Sequence, residues 1–361
     1  MNLAMRFQKL RLQDFRNIPF MELDLQSDRV FFLGSNGQGK SNLLEALGMV
    51  SALRSFRTQA LDCLPRKGHA QFNLFAEVEH EHFGSTRLII RGAKKGRYVQ
   101  VDEQKVTKMA DFIGRFPVVI MSSDDLNLLR GAPAERRRCF DLIFSAGNSE
   151  YYSVLQGYHK AVANRNRLLK QHSDGAVLDA FELEIAPLAI KLNALRTAAL
   201  SLMAEKLKAA YIKIAGMDEI PNLMYHANCG EVQTVGAYLE LLQASRQRDF
   251  AIGSTSRGPH RDDFKFQLAA ANAREFASDG QQRALCIALR MAQCDYYQEV
   301  MACQPVLLAD DVLGELDRER RKNFWAACPH RLQLIATGTE LPDVKEGWRV
   351  YSVLAGALQK D

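Results

Sequence analysis

The chain has 361 residues, 25% of them charged and 47% hydrophobic, with a formal net charge of +5. This balance is ordinary for a globular chain with a large core and two packed lobes; it excludes a disordered chain, and no apolar run reaches the ~18–20 residues of a bilayer span. The seven cysteines form no C-x-x-C pair, which argues against a disulfide framework or a structural zinc site.

Met1–Phe7 lacks the apolar core of a signal peptide, so a reduced, cytoplasmic protein is expected. Gln8–Leu12 and Met21–Leu25 alternate like strands on either side of Asp14-Phe15-Arg16-Asn17. Val30–Leu33 is an apolar run that leads into Gly34-Ser35-Asn36-Gly37-Gln38-Gly39-Lys40-Ser41, and Asn42–Leu47 leaves it with helical spacing. Strand, glycine-rich loop and helix together predict a phosphate-binding loop, whose backbone N–H groups cradle phosphates at a helix N-terminus. Lys40 is expected at the β/γ-phosphates and Ser41 on Mg²⁺.

Phe72–His80 and Thr86–Arg91 read as further strands, and Arg91–Arg97 as an exposed basic hairpin turn. From residue 124 to 248 the pattern is helical, with Ala134–Ala146, Tyr151–Gln171 and Leu178–Ile214 apolar at three- and four-residue spacing. Pro187 either kinks the last of these or marks its true start. No stretch sustains the heptads of a long coiled coil. Strand character returns at Phe264–Leu268, a helix runs from Gly280 to about Met301, and Pro305–Ala309 and Leu332–Thr337 are apolar strands. The expected division is an α/β ATPase part (1–123 and 249–361) with a compact helical lobe (124–248) inserted into it.

The strand before Asp310-Asp311 fits a Walker B element: Asp310 for Mg²⁺ and Asp311 to polarise the attacking water. The phosphate loop and this strand are separated by most of the chain, which suits an ABC-type ATPase rather than a compact GTPase. The signature candidate is Phe276–Arg283, where Ser278, Gly280 and Gln281 open a helix with donors and a positive dipole end. In such folds this helix faces the γ-phosphate bound by a second subunit, so two chains are expected to close around two ATP molecules. Gly314-Glu315-Leu316-Asp317 and Thr337-Gly338-Thr339 follow in the places of an interface loop and a γ-phosphate switch.

At these motifs the sequence resembles the RecF family of bacterial recombination-mediator ATPases. The resemblance spans essentially the whole chain and rests on Phe15-Arg16-Asn17, Gly34–Asn42, Ser55–Thr58, Asp125-Leu126, Arg130–Pro133, Arg136-Arg137, Arg165-Asn166, Gly258–Asp263, Ser278–Arg283 and Asp310-Asp311. It implies an ABC-type P-loop head with an inserted helical lobe and no long coiled coil. It also implies ATP-dependent dimerisation on DNA and slow, DNA-stimulated hydrolysis. Family members act with RecO and RecR in loading RecA at single-strand gaps, and support the SOS response. It places Arg16 and Asn42 beside the nucleotide and makes Gly258–Asp263 a hallmark whose plain reading is a turn with Arg261 paired to an aspartate. Asp279 departs from the family's usual glutamine and adds negative charge at a phosphate-facing helix end.

Candidate contacts to DNA are Lys94, Lys95 and Arg97 on the hairpin, the run Arg136-Arg137-Arg138, and Lys160, Arg165, Arg167 and Lys170 along one helix. Single charges against phosphates predict sequence-independent, salt-sensitive binding to duplex or junction backbone, such as a gapped duplex. No aromatic platform interleaved with basic residues stands out, so stacking on single strands is not expected. The alternatives are a chromosome-organising ATPase of the SMC type, which needs long heptad segments, and a transporter's ATPase subunit, which lacks the Gly-Pro-His-Arg element.

Overall fold

The computed structural model describes all residues except 1–2, 59, 94–95, 173, 217–218, 313, 315, 330, 342–346 and 360–361. The chain divides into two compact units, one holding residues up to 125, 213–215 and 286 onward, the other 126–212 and 216–285. The first unit opens with β1 (Leu3–Phe15), β2 (Ile18–Asp24) and β3 (Arg29–Leu33), then α1 (Lys40–Ala52). There follow β4 (Gln71–His80), β5 (Gly84–Ala93), β6 (Gly96–Val101), β7 (Gln104–Lys105) and β8 (Val118–Ser122).

The second unit begins with α2 (Leu126–Arg130), α3 (Pro133–Gly147), α4 (Ser149–Lys170) and α5 (Gly175–Ala215). β9 (Pro221–His226), α6 (Val235–Ile252), β10 (Asp263–Leu268), β11 (Ala271–Asn272) and α7 (Ala273–Phe276) complete it, with the start of α8 (Asp279–Met301). The chain then returns to the first unit through the rest of α8, β12 (Cys303–Gln304), β13 (Val306–Asp310), α9 (Arg318–Ala327), β14 (Leu334–Gly338), β15 (Trp348–Leu354) and β16 (Ala357–Leu358).

Two sheets make the first unit. One follows the order β12-β1-β4-β5-β6-β7 with β2 beside β1, antiparallel except where β12 meets β1. The other runs β16-β15-β3-β14-β13-β8, parallel from β15 to β8. Its inner strands are apolar without alternation because both faces are covered; every residue of Val306–Ala309 is buried. α1 packs on β8, β13 and β14, and Phe7, Phe15, Phe32, Leu47 and Phe72 belong to one continuous core. The register sets Asp310 beside Thr337 and Thr337 beside Phe32. The carboxyl ends of β3, β14 and β13 therefore stand side by side, where parallel sheets place their ligands.

The second unit is not purely helical. Residues 249–285, expected with the ATPase part, group here, and β10 pairs antiparallel with β9 and β11 while α3 packs on it. Pro187 does not start α5: Asp174 caps the helix and it continues unbroken through the proline.

Candidate nucleotide site

Residues 34–41 join the end of β3 to α1. Gly39 is the N-cap at φ 108°, a conformation open to glycine, and a Cβ there would meet the Asn17 side chain at 2.8 Å. Lys40 is buried, and among the described residues its ammonium donates only to backbone, to the Gly34 carbonyl at 2.6 Å and the Ser35 carbonyl at 2.9 Å. Ser41 donates to Asp310 Oδ1 at 2.8 Å, and Thr337 donates to the same oxygen at 2.9 Å. Burial pushes the Asp310 carboxyl up, with Asp311 adding to it, while the two hydroxyls act in the other sense. Asp311 is exposed in a left-handed conformation at φ 57°, and its N–H donates to Thr337 Oγ1 at 3.0 Å. One threonine hydroxyl thus fixes both aspartates. The hard-oxygen pair Ser41 Oγ and Asp310 Oδ1 fits Mg²⁺.

A second layer holds the loop. Asn17 receives the Asn42 amide at 2.8 Å and donates to the Gln38 carbonyl at 3.4 Å. Gln38 also accepts from the Gly356 N–H at 2.8 Å and, through Oε1, from the Ala355 N–H at 2.7 Å. Arg16 sits at φ 56° and closes a two-pronged pair on fully buried Glu45 of α1, at 2.8 and 2.6 Å. Ser55 donates to Glu45 as well, and Arg57 to Asn42 at 2.7 Å. Arg16, expected beside the nucleotide, is bound to the helix that the loop opens. Glu45 was not legible as its partner, because one glutamate in a helical run carries no signal.

In the second unit, Ser278 caps α8 in a reciprocal box. Its Oγ accepts from the Gln281 N–H at 3.3 Å, and Gln281 Oε1 accepts from the Ser278 N–H at 2.6 Å. The Gln281 amide also donates to Glu219. The charge of Asp279 has an offset that the sequence did not disclose: Arg130 pairs with it at 2.5 Å and donates to Gln282 at 2.6 Å. Gly280 lies in the first turn of the helix; Glu315, expected in an interface loop, falls outside the described residues.

The RecF/RecN/SMC N terminal domain family matches residues 6–355. A DNA replication and repair protein RecF from Geotalea daltonii is 33% identical over 368 residues, 98% of this chain and 100% of the relative. Its counterpart from Moorella thermoacetica is 34% identical over 94% of this chain and 91% of its own length. The chain belongs to the RecF family. A solved structure described as the recombination mediator protein RecF with ATP in the RecFOR pathway aligns at TM-score 0.92 and 27% identity, covering 99% of this chain and 98% of that one. An Smc head domain from Pyrococcus furiosus, at TM-score 0.57 and 15% identity, shares the fold alone. The ABC-type P-loop head is borne out, and no long coiled coil occurs among the described residues.

With the RecF family established, its Gly258–Asp263 element can be read physically. Gly258 stands at φ 128° under two tyrosines; a Cβ would meet the Tyr238 hydroxyl at 2.2 Å and the Tyr158 hydroxyl at 2.5 Å. Pro259 O and Asp262 Oδ2 accept from buried Arg196 at 2.7 and 2.9 Å, and Asp263 pairs with Arg136 at 2.7 Å. Arg261, expected to make the ion pair, is exposed; the arginines come from elsewhere in the unit. Burial pushes His260 down to about 4. Its Nε2 lies 2.9 Å from the Thr255 carbonyl and its Nδ1 2.7 Å from the Tyr158 hydroxyl, so the neutral ring donates to the first and accepts from the second.

The DNA candidates of this RecF-family chain separate by burial. Arg165 is withdrawn from any phosphate: it is fully buried against Glu182 at 2.8 Å and Asp249 at 2.7 Å. Arg136 is likewise sequestered by Asp263, and Arg137 donates to the Asp262 carbonyl at 2.6 Å. Lys160 and Arg97 are exposed, as are Arg167 and Lys170. Lys94 and Lys95 lie outside the described residues.

Proposed function

We propose that this chain is an ATP-dependent DNA-binding ATPase of recombinational repair, acting in the cytoplasm as a homodimer gated by nucleotide. The observation that carries the reading is the convergence of Lys40, Ser41, Asp310 and Asp311 at the ends of adjacent parallel strands. Support comes from the RecF-family relatives and from the neighbouring structure described with ATP in the RecFOR pathway.

In this reading the loop N–H groups of residues 34–42 hold the phosphates, and Lys40 exchanges its two carbonyls for the β/γ-phosphate oxygens. Ser41 and Asp310 hold Mg²⁺, which when bound neutralises charge developing on the phosphates. Asp311, free of any carboxylate-neutralising pair among the described residues and presented by its left-handed backbone, orients the attacking water. Ser278, Gly280 and Gln281 act on the nucleotide of the second subunit. In chain order residues 1–123 and 249–361 supply the head and 124–248 the inserted lobe, with 249–285 folded together with the lobe; Lys94, Lys95, Arg97 and Lys160 meet DNA backbone at gapped duplex or junctions. Hydrolysis is slow and DNA-stimulated, and the dimer acts with RecO and RecR in loading RecA and sustaining the SOS response.

The test is binding to a gapped duplex with ATP-Mg²⁺ or ADP while protein mass is followed. Tighter binding as a dimer with ATP is expected, and Asp311→Asn is expected to hold that dimer. Equal, monomeric binding with both nucleotides, or an Asp311→Asn protein that stays monomeric in ATP, would overturn the reading.

A further inference from the structure

The antiparallel sheet of the first unit has an outer face that the phosphate site does not use. Pleating turns one side of β1, β4, β5 and β6 into the core, where Leu12, Leu74, Ile90 and Val99 are buried, and presents alternate residues on the other side. The pairing registers arrange those residues in rows across the strands. One row reads Gln13, Asn73, Arg91, Tyr98, and the next Phe75, Ile89, Gln100, Lys105.

Cations and rings interleave at one end of this face. The Arg91 guanidinium lies 5.6 Å from the Tyr98 ring centroid and the Lys105 ammonium 5.8 Å from the same ring. Neither cation forms an ion pair among the described residues, and the Gln13–Tyr98 row contains no carboxylate. At the other end the charges are neutralised: Lys9 and Arg11 pair with Glu22, and Arg87 with Glu77. The uncompensated positive charge is therefore concentrated around one aromatic ring on an amide-rich surface.

We propose that this end of the sheet, centred on Tyr98, is a platform for single-stranded DNA. Arg91 and Lys105 swing from the ring to the adjoining phosphates, and a base stacks on the tyrosine in their place. Asn73 offers an amide to base edges without fixing a sequence, while Gln100 accepts from the Tyr98 hydroxyl at 2.9 Å and donates to the Asp102 carbonyl at 2.7 Å, holding the ring in place. A protein partner would need an apolar centre ringed by polar residues, whereas here the cations lie over the ring. A duplex hides its base faces, so the proposal goes beyond backbone contact with duplex and reverses the expectation that the chain lacks a stacking surface.

The test uses full-length protein without nucleotide, a labelled oligothymidylate of about 20 nucleotides, and a duplex of equal length, followed by fluorescence anisotropy. Tyr98→Leu is expected to weaken oligothymidylate binding about tenfold and leave duplex binding unchanged, while Tyr98→Phe stays within about twofold of wild type. Replacing Arg91 and Lys105 together by glutamine should lower the slope of log K against log salt by about 1.4. Wild-type binding by Tyr98→Leu, or equal loss in Tyr98→Phe and Tyr98→Leu, overturns the platform. Photo-cross-linking of an iododeoxyuridine-substituted strand to wild-type protein gives a readout independent of any variant; adducts on Tyr98 support the platform, and adducts confined to other surfaces overturn it. Failure of ATP-dependent dimerisation would sink the proposed function and leave these readings untouched.

Discussion

The phosphate loop of the first unit and the Gly258–Asp263 turn of the second both bury cations, and they do so in opposite ways. Around the turn every buried arginine meets carboxylates: Arg196 meets Asp141 and Asp262, and Arg136 meets Asp263. In the loop, Lys40 meets two carbonyls and, among the described residues, no carboxylate. A buried charge whose counter-charge lies within the fold is committed to structure. A buried charge held only by neutral dipoles keeps its strongest interaction for an anion from outside. Gly258 and Gly39 both accept backbone conformations that favour glycine, so glycine alone would not have told the two regions apart.

Four substitutions sharpen this contrast. Arg196→Met leaves Asp141 and Asp262 buried without their partner and should destabilise the protein by about 3–5 kcal/mol, read by denaturant or thermal unfolding. The acid response of the turn comes next. His260 sits at about 4 in the folded protein against about 6.5 unfolded, so its contribution to stability is present above pH 6.5 and lost as pH falls towards 4. The full loss is about 3 kcal/mol; His260→Gln should flatten that limb in a pH series of unfolding midpoints, leaving the part due to His80 and His159, which burial also pushes down. Lys40→Met should reverse the Arg196 pattern, with hydrolysis down at least ~100-fold and the nucleotide-free unfolding midpoint within about 2 °C of wild type. A large loss of stability there would erase the distinction between the two regions.

The smallest expected effect concerns Thr337. Thr337→Val removes the hydroxyl that links Asp310 to the Asp311 backbone while keeping shape. Turnover should fall about tenfold with ATP affinity within about twofold, and Thr337→Ser should restore it. An unchanged kcat in Thr337→Val would show that Asp311 is set by other contacts.

The local features were legible in the sequence. The phosphate loop, the Walker B strand and the helix after Ser278 announce themselves because glycine, apolar runs and capping residues act on their immediate neighbours. What escaped depends on residues far apart. Arg165 reads as one of a basic surface stripe on α4, yet Glu182 and Asp249 arrive from other helices and bury it. The alternation of residues 264–268 marks β10 as a strand but not as a partner of β9, because pairing is not written in alternation. The rows around Tyr98 were invisible for the same reason: Asn73, Arg91, Tyr98 and Lys105 become neighbours only through register.

The ties from Gln38 to Ala355 and Gly356 also bear on how the chain comes into being. The loop spans residues 34–41, but its brace is made by residues 355 and 356, and β3 lies between β14 and β15. A growing polypeptide emerges N-terminus first, so the loop leaves the ribosome long before the strands that shape it. Nucleotide competence is therefore acquired only once residues 355 and 356 have been made, and a product terminated before them carries the whole motif without the fold that makes it a site.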